Sequence, residues 1–465
     1  MNITFHGAAR TVTGSQYLLS VNGYKLLMEC GFFQGKRKES YKRNLSFPYN
    51  PVEIDAVILS HAHIDHSGNL PNLVKSGYWG PIYTTAATAH LANLMLIDSG
   101  RIQEFDASFV NKKRARRGEK LVEPIYTTED AAAVAQLFSC HNYGAPFEVV
   151  PGVTATLVDA GHILGSAGVV LDIEERGRKF RLWFSGDIGR PELLIVGDPV
   201  LPEKADYLIM ECTYGDKPHG DHEAAFEELG QVVQRTVQRG GKVIIPAFAV
   251  GRTQELVYAL HRMIDRGDIP HIPVYVDSPL AINATEIFRA HPECFDEETR
   301  EFIRTDKHQA ALGFDHLTYT RSVEESKAIN SRNEPMVIIS ASGMAEAGRI
   351  LHHLRNNIEN PRNTILIVSW QAPHTLGRRL AEREQVVKIF GENYERRAEV
   401  ATIGGLSAHA GQTLLTEYAQ ASEHTLKKIF LVHGEQASAQ ALQGKLDILG
   451  ITETYYPDLH EFVEI

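Results

Sequence analysis

The sequence predicts an α/β protein in which a β-rich unit is interrupted by a run of parallel βα units. Three observations carry this. Two glycine-centred hairpins lie within the first 205 residues, apolar strands alternate with longer helical stretches from about Asp206, and a strand returns near the C-terminus. At 465 residues the chain is too long for one compact core, and pattern alone places boundaries at 1–208, 209–394 and 395–465.

The elements follow in order. Ser15–Val21, Asn22-Gly23 and Tyr24–Glu29 read as a hairpin, because Asn-Gly between strand-like runs favours a type I′ turn. Asp55–Leu59 is short, apolar and partly β-branched, a buried strand. Leu70–Ser76 and Thr88–Phe105 have helical spacing, and the basic run Lys112–Lys120 reads as a solvated mobile loop, with contact to a phosphate backbone as the alternative. Arg176-Gly177-Arg178 joins Val169–Ile173 to Lys179–Phe184 in a second hairpin. From Asp206 the strands Tyr207–Met210, Lys242–Pro246, Val274–Asp277, Met336–Ser340 and Thr364–Ser369 alternate with helices such as Glu223–Gln238 and Thr253–Ile264. Past Glu395, strands Ala398–Ile403 and Ile429–His433 precede a closing helix at Gln436–Leu449.

Composition narrows the function. A hydrophobic content of 43% with 23% charged residues is that of a soluble globular protein. No basic, apolar leader opens the chain and no run is long enough to cross a bilayer, so the expectation is a cytoplasmic enzyme. Cys30, Cys140, Cys212 and Cys294 are far apart, which indicates neither a disulfide framework nor a thiolate metal site. A net charge of −11 argues against gripping a polyanion over the whole surface. Nucleic-acid contact must be local.

The chemistry concentrates in Ser60-His61-Ala62-His63-Ile64-Asp65-His66, at the end of the Asp55–Leu59 strand. On extended backbone His61 and His63 point the same way, and Asp65 and His66 follow after a turn. One loop thus offers ligand pairs to two adjacent cations, and imidazole with carboxylate suits zinc, manganese or iron. Four ligands do not close two shells. His162, in Asp-Ala-Gly-His-Ile-Leu-Gly-Ser, and Asp187, in Phe-Ser-Gly-Asp-Ile-Gly, are the next candidates, each at a strand end behind a glycine.

This set and order resemble the metallo-β-lactamase superfamily, with its H-x-H-x-D-H loop, later His and bridging Asp. The next candidate, His433 in Leu-Val-His-Gly-Glu, stands 246 positions beyond Asp187, and an inserted domain accounts for the gap. That arrangement is similar to the β-CASP group, whose further motifs are matched by Glu211 in Glu-Cys-Thr-Tyr-Gly-Asp and His409 in Leu-Ser-Ala-His-Ala. The resemblance implies a metallo-β-lactamase αββα sandwich with an inserted β-CASP domain containing a mainly parallel sheet. It implies a free-standing ribonuclease, since His at the last motif accompanies RNA-directed members, with RNA held mainly in the two-domain cleft.

By the same resemblance, His61, His63 and His162 hold one divalent ion, zinc or alternatively manganese, and Asp65, His66 and His433 hold the other. Asp187 bridges both. His409 is the general acid, aimed by Glu211, and a water bridging the ions is the nucleophile. Glu29 stands where the family usually has Asp and orients a ligand from behind. Arg252 and Thr253 at a helix start, Ser340, Ser342 and Gly343 after a strand, and His374 are candidate phosphate contacts. Endonuclease action is expected, with 5′ to 3′ exonuclease action alongside it as an alternative. A homodimer is compatible, and no obligate protein partner is indicated. Competing readings are a DNA-directed nuclease, another metallohydrolase of the same fold, or an inert RNA-binding scaffold.

Overall fold

A computed structural model describes residues 1–35, 37–218 and 220–465. The chain forms two compact units, Met1–Pro191 with Gly197–Pro218 and Ala408–Ile465, and Glu192–Val196 with His219–Ser407.

The first unit holds two seven-stranded mixed sheets. One runs Phe462–Glu464, Asn2–Phe5, Tyr17–Val21, Tyr24–Met28, Ala56–Ile58, Ile82–Thr84, Phe138–Cys140. The other runs Thr454–Tyr455, Lys428–Val432, Tyr207–Glu211, Arg178–Phe184, Ala167–Glu175, Val153–Asp159, Phe147–Val150. Their apolar inner faces meet. Ile3, Leu19 and Leu26 from the first sheet and Leu157, Leu171, Leu182 and Phe430 from the second share one buried cluster. Behind the second sheet, helices Gln412–Gln420 and Gln436–Ile448 cover Trp183, Leu208 and Met210, and Trp183 Nε1 donates to Tyr418 Oη at 2.7 Å. Both expected hairpins are present. Asn22 and Gly23, and Arg176 and Gly177, pair positive φ values of 51° and 87°, and of 51° and 75°, which is type I′ backbone whose twist suits a two-residue connection.

The second unit is a six-stranded sheet, Leu317–Tyr319, Val274–Val276, Met336–Ser340, Lys242–Pro246, Thr364–Ile367, Glu399–Thr402. Every neighbour is parallel. Such strands are buried on both faces, which is why Met336–Ser340 and Lys242–Pro246 read as continuous apolar runs.

Three readings change. Strand Tyr207–Glu211 belongs to the first unit, in parallel between Arg178–Phe184 and Lys428–Val432, although its apolar run resembles those that follow. Strand Glu399–Thr402 pairs with Thr364–Ile367 in the second unit, so the chain returns to the first unit only at Ala408. The basic run is not a loop: helix Ala86–Arg116 is 31 residues long and carries Lys112 to Arg116 as its last turns. Past Phe105 its solvent face turns basic, with Lys112, Lys113 and Arg116 among the last residues, so the apolar periodicity that marks a helix fades there.

Candidate metal centre

Each candidate ligand leaves a strand end, where the backbone stops pairing and a side chain is free to turn inward. His61 and His63 follow Ala56–Ile58, and Asp65 and His66 sit on the short helix Ile64–Ser67. His162 follows Val153–Asp159, Asp187 follows Arg178–Phe184, and His433 follows Lys428–Val432. His433 holds a left-handed φ of 47°, with its N–H on the Ala8 carbonyl at 2.7 Å. That uncommon conformation for a non-glycine residue turns the imidazole out of the strand direction.

The seven side chains form two donor sets. In the first, His63 Nδ1 lies 3.1 Å from His61 Nε2 and 3.2 Å from His162 Nε2, and Asp187 Oδ2 lies 3.4 and 3.5 Å from those two Nε2 atoms. In the second, His66 Nε2 lies 3.3 Å from His433 Nε2, which lies 3.5 Å from Asp65 Oδ2. Asp187 Oδ1 lies 3.2 Å from His66 Nε2. One carboxylate thus presents an oxygen to each set.

These distances fit a cation. Tetrahedral donors about 2.0–2.1 Å from zinc stand about 3.3 Å apart, which is the spacing seen in both sets. Asp187 Oδ1 is buried without a hydrogen-bond partner, an arrangement that calls for a positive charge beside it. Burial lowers His61 to a pKa of about 3 and His63 to about 4, and pushes His162 well below the ordinary range, so these rings are neutral and present lone pairs.

Supporting groups fix the donors. Buried Glu29 accepts from Ser60 N at 2.6 Å and Ser60 Oγ at 3.1 Å, and its Oε2 lies 2.7 Å from His66 Nδ1. Ser60 Oγ also lies 2.9 Å from His61 Nδ1. Glu29, at a left-handed φ of 64°, therefore holds both ends of the first loop through Ser60 and His66.

His409 and Glu211 lie beside Asp187. His409 Nδ1 is 3.1 and 3.2 Å from the two Glu211 oxygens and 3.9 Å from Asp187 Oδ2. Glu211 also accepts from Ile188 N at 2.6 Å and from Thr213 Oγ1. Burial is the largest influence on His409 and opposes its charge, but Glu211, Asp187 and Asp65 together outweigh it and raise the imidazole to about 9. The His409 side chain is 22% exposed, so its ring is partly open to solvent. Thr213 carries no sequence motif of its own; its hydroxyl contacts Glu211 and lies 3.1 Å from His433 Nδ1. Its place two residues after Glu211, at a strand end, is the only signal it offers.

The candidate phosphate contacts lie in the second unit. The Arg252 guanidinium is buried on Glu255 and the Leu406 carbonyl, Thr253 Oγ1 donates to Phe248 O at 2.7 Å, and Ser340 Oγ donates to Asp277 O at 2.8 Å. These three side chains are committed internally. Ser342 Oγ accepts from Glu346 N and Ala347 N at 3.2 and 3.4 Å within its own turn, and Gly343 packs so closely that a Cβ would stand 3.1 Å from Phe248 N. His374 is exposed, with a φ of 71°.

Facing mixed sheets with a strand-end His/Asp cluster able to bind metal define a metallo-hydrolase of the metallo-β-lactamase fold. Residues 9–134 match the metallo-beta-lactamase superfamily, residues 253–380 the Beta-Casp domain, and residues 393–457 the Zn-dependent metallo-hydrolase RNA specificity domain. The chain is 37% identical to Ribonuclease TTHA0252 of Thermus thermophilus, over 96% of each chain. It is 31% identical to Transcription termination factor FttA of Methanocaldococcus jannaschii, over 98% of this chain and 70% of that one. A crystal structure of a protein of unknown function from Enterococcus faecalis V583 aligns with a TM-score of 0.54 at 13% identity, covering 99% of both chains, and supports the fold. The chain belongs to the β-CASP family of metallo-β-lactamase-fold ribonucleases. No helix among the described residues is long and apolar enough to cross a membrane.

Proposed function

We propose that the chain hydrolyses RNA phosphodiester bonds with two divalent ions, one held by His61, His63, His162 and Asp187, the other by Asp65, His66, His433 and Asp187. The observation that carries this reading is the Asp187 carboxylate, with Oδ2 facing one donor set and Oδ1 the other. Zinc or manganese bound there supplies Lewis acidity toward a water and toward the phosphate oxygens. Glu29 holds His66 and Ser60 in place, and Thr213 and Glu211 hold His433 and His409. His409 gives its proton to the departing oxygen as the phosphorus–oxygen bond breaks, and Glu211 keeps the ring charged and aimed.

The residues around His409 and His433 fall within the segment matching an RNA specificity domain, and a relative aligned over nearly the whole chain is named a ribonuclease. Both favour RNA over DNA and an enzyme over an inert scaffold. Internal cutting is the primary mode, with cleavage from the 5′ end as a second. The test follows 5′-labelled and internally labelled RNA beside matching DNA, with and without chelator. RNA cleavage that chelator abolishes, with DNA left largely intact, is expected. Cleavage indifferent to chelator, or equal on both nucleic acids, refutes the proposal.

A further inference from the structure

The Ala86–Arg116 helix begins at the metal loop and ends far from it. Thr85 Oγ1 and Thr88 Oγ1 both donate to the Gly165 carbonyl at 2.7 Å, three residues past His162. At about 1.5 Å per residue, Arg116 lies about 40 Å from that anchor.

The two faces of the outer half differ. On the inner face, a Cβ at Gly100 would stand 2.9 Å from the Thr127 backbone, Glu104 accepts from Thr128 Oγ1 at 3.2 Å, and Asn111 exchanges hydrogen bonds of 2.9 and 2.8 Å with the Val122 backbone. On the other face, Ile102, Phe105, Phe109, Lys113 and Arg116 recur at spacings of three and four, forming one stripe. Its apolar members point to solvent, with Ile102 56%, Phe105 73% and Phe109 51% exposed. Lys113 Nζ sits 5.1 Å from the Phe109 ring. Arg114 and Arg117 lie 3.6 and 3.8 Å from Glu119, whereas Lys112, Lys113 and Arg116 make no ion pair among the described residues.

Aromatic faces beside unpaired cations are what single-stranded nucleic acid requires: bases stack on the rings and phosphates meet the charges. The chain as a whole carries −11, so a basic tip on this helix is a local site for a polyanion on a surface that otherwise repels one. An acidic protein partner would also meet the charge, but it gives no reason for Lys113 to sit on an exposed ring. We propose that this stripe is a second RNA-binding surface, holding a single strand between about 20 Å (Ile102) and about 40 Å (Arg116) from the Gly165 anchor. Those distances correspond to about six and about twelve stacked nucleotides at about 3.4 Å each, so a long RNA covers the stripe whereas one of about six nucleotides stops at its near edge. This rests on RNA being the substrate class.

The test compares oligoribonucleotides of about 30 and about 6 nucleotides, on the full chain with its metal. The variants are K112A/K113A/R116A and F105A/F109A, all solvent-facing, with circular dichroism to confirm folding. Three lost phosphate contacts flatten the salt dependence, so between about 50 and 200 mM salt the wild type loses about 20-fold more affinity for the long RNA than the first variant does. The second variant weakens long-RNA binding at least about fivefold. Both variants keep wild-type kcat/KM on the short RNA. An unchanged Kd and salt slope for long RNA in the folded first variant overturns the proposal. So does an F105A/F109A protein whose molar mass by light scattering changes while RNA binding does not, which identifies a protein contact. Failure of the wild type to cut the short RNA counts against the catalytic reading alone, because the long-RNA Kd comparison still decides the surface.

Discussion

Replacing His409 by Ala separates metal binding from chemistry. His409 belongs to neither donor set: its Nδ1 stands 3.9 Å from Asp187 Oδ2 and its ring packs beside the His162 ring at 4.6 Å between centroids, so its loss is expected to leave the seven donors in place. Glu211 keeps its bonds from Ile188 N and Thr213 Oγ1, so the carboxylate stays hydrogen-bonded and the fold loses only about 1–2 kcal/mol. The rate falls by the worth of a positioned acid, about 10²–10⁴-fold, equivalent to about 3–5 kcal/mol of barrier. Single-turnover cleavage measures the rate, and elemental analysis measures the metal. A substrate whose leaving oxygen is replaced by sulfur needs little protonation, and its cleavage is expected to be nearly unaffected by the change. A His409→Ala rate within about threefold of wild type on ordinary RNA, or loss of one ion per chain, refutes the assignment.

Asp187→Ala and His63→Ala are expected to lose metal and activity together, and full loading of Asp187→Ala excludes the bridging role. Glu29→Gln keeps the bulk behind His66 but loses the charge, and metal affinity should drop about 10–100-fold; an unchanged affinity in competition with a chelator shows that Glu29 does not tune the site. Asp277, fully buried in the second unit, accepts from Thr320, Ser326 and Arg349 and lies 2.7 Å from His353 Nε2. Although burial pushes its carboxyl up, these partners outweigh it and hold the group below the ordinary carboxylate range. Asp277 therefore stabilises the second unit at neutral pH, and that contribution is lost as pH falls from the unfolded carboxylate value through the lower folded one. Asp277→Asn should cost about 3–5 kcal/mol in urea denaturation followed at neutral pH, and a loss under about 1 kcal/mol contradicts the account.

Much of the candidate site was legible because residues able to ligate metal are chemically conspicuous. His61, His63, Asp65 and His66 crowd one loop, and His162, Asp187 and His433 each close an apolar run, so strand-end placement alone flags them. Their convergence was not legible from the residues, because it depends on Tyr207–Glu211 and Lys428–Val432 lying side by side across more than two hundred positions. Thr213 and Ser60 were missed for a related reason: hydroxyls are common, and only contact shows their use. In the second unit, Arg252 looked like an anion contact at a helix start, yet Glu255 one turn on takes its guanidinium. The long helix was cut short at Phe105 because its outward stripe of aromatic and basic side chains carries no burial periodicity.

The most direct measurement is anomalous scattering at the zinc edge from crystals of the metal-loaded protein. The account predicts two peaks about 3.5–4 Å apart, one among His61, His63 and His162, the other among Asp65, His66 and His433, with Asp187 between them. A single peak, or peaks away from Asp187, would contradict it.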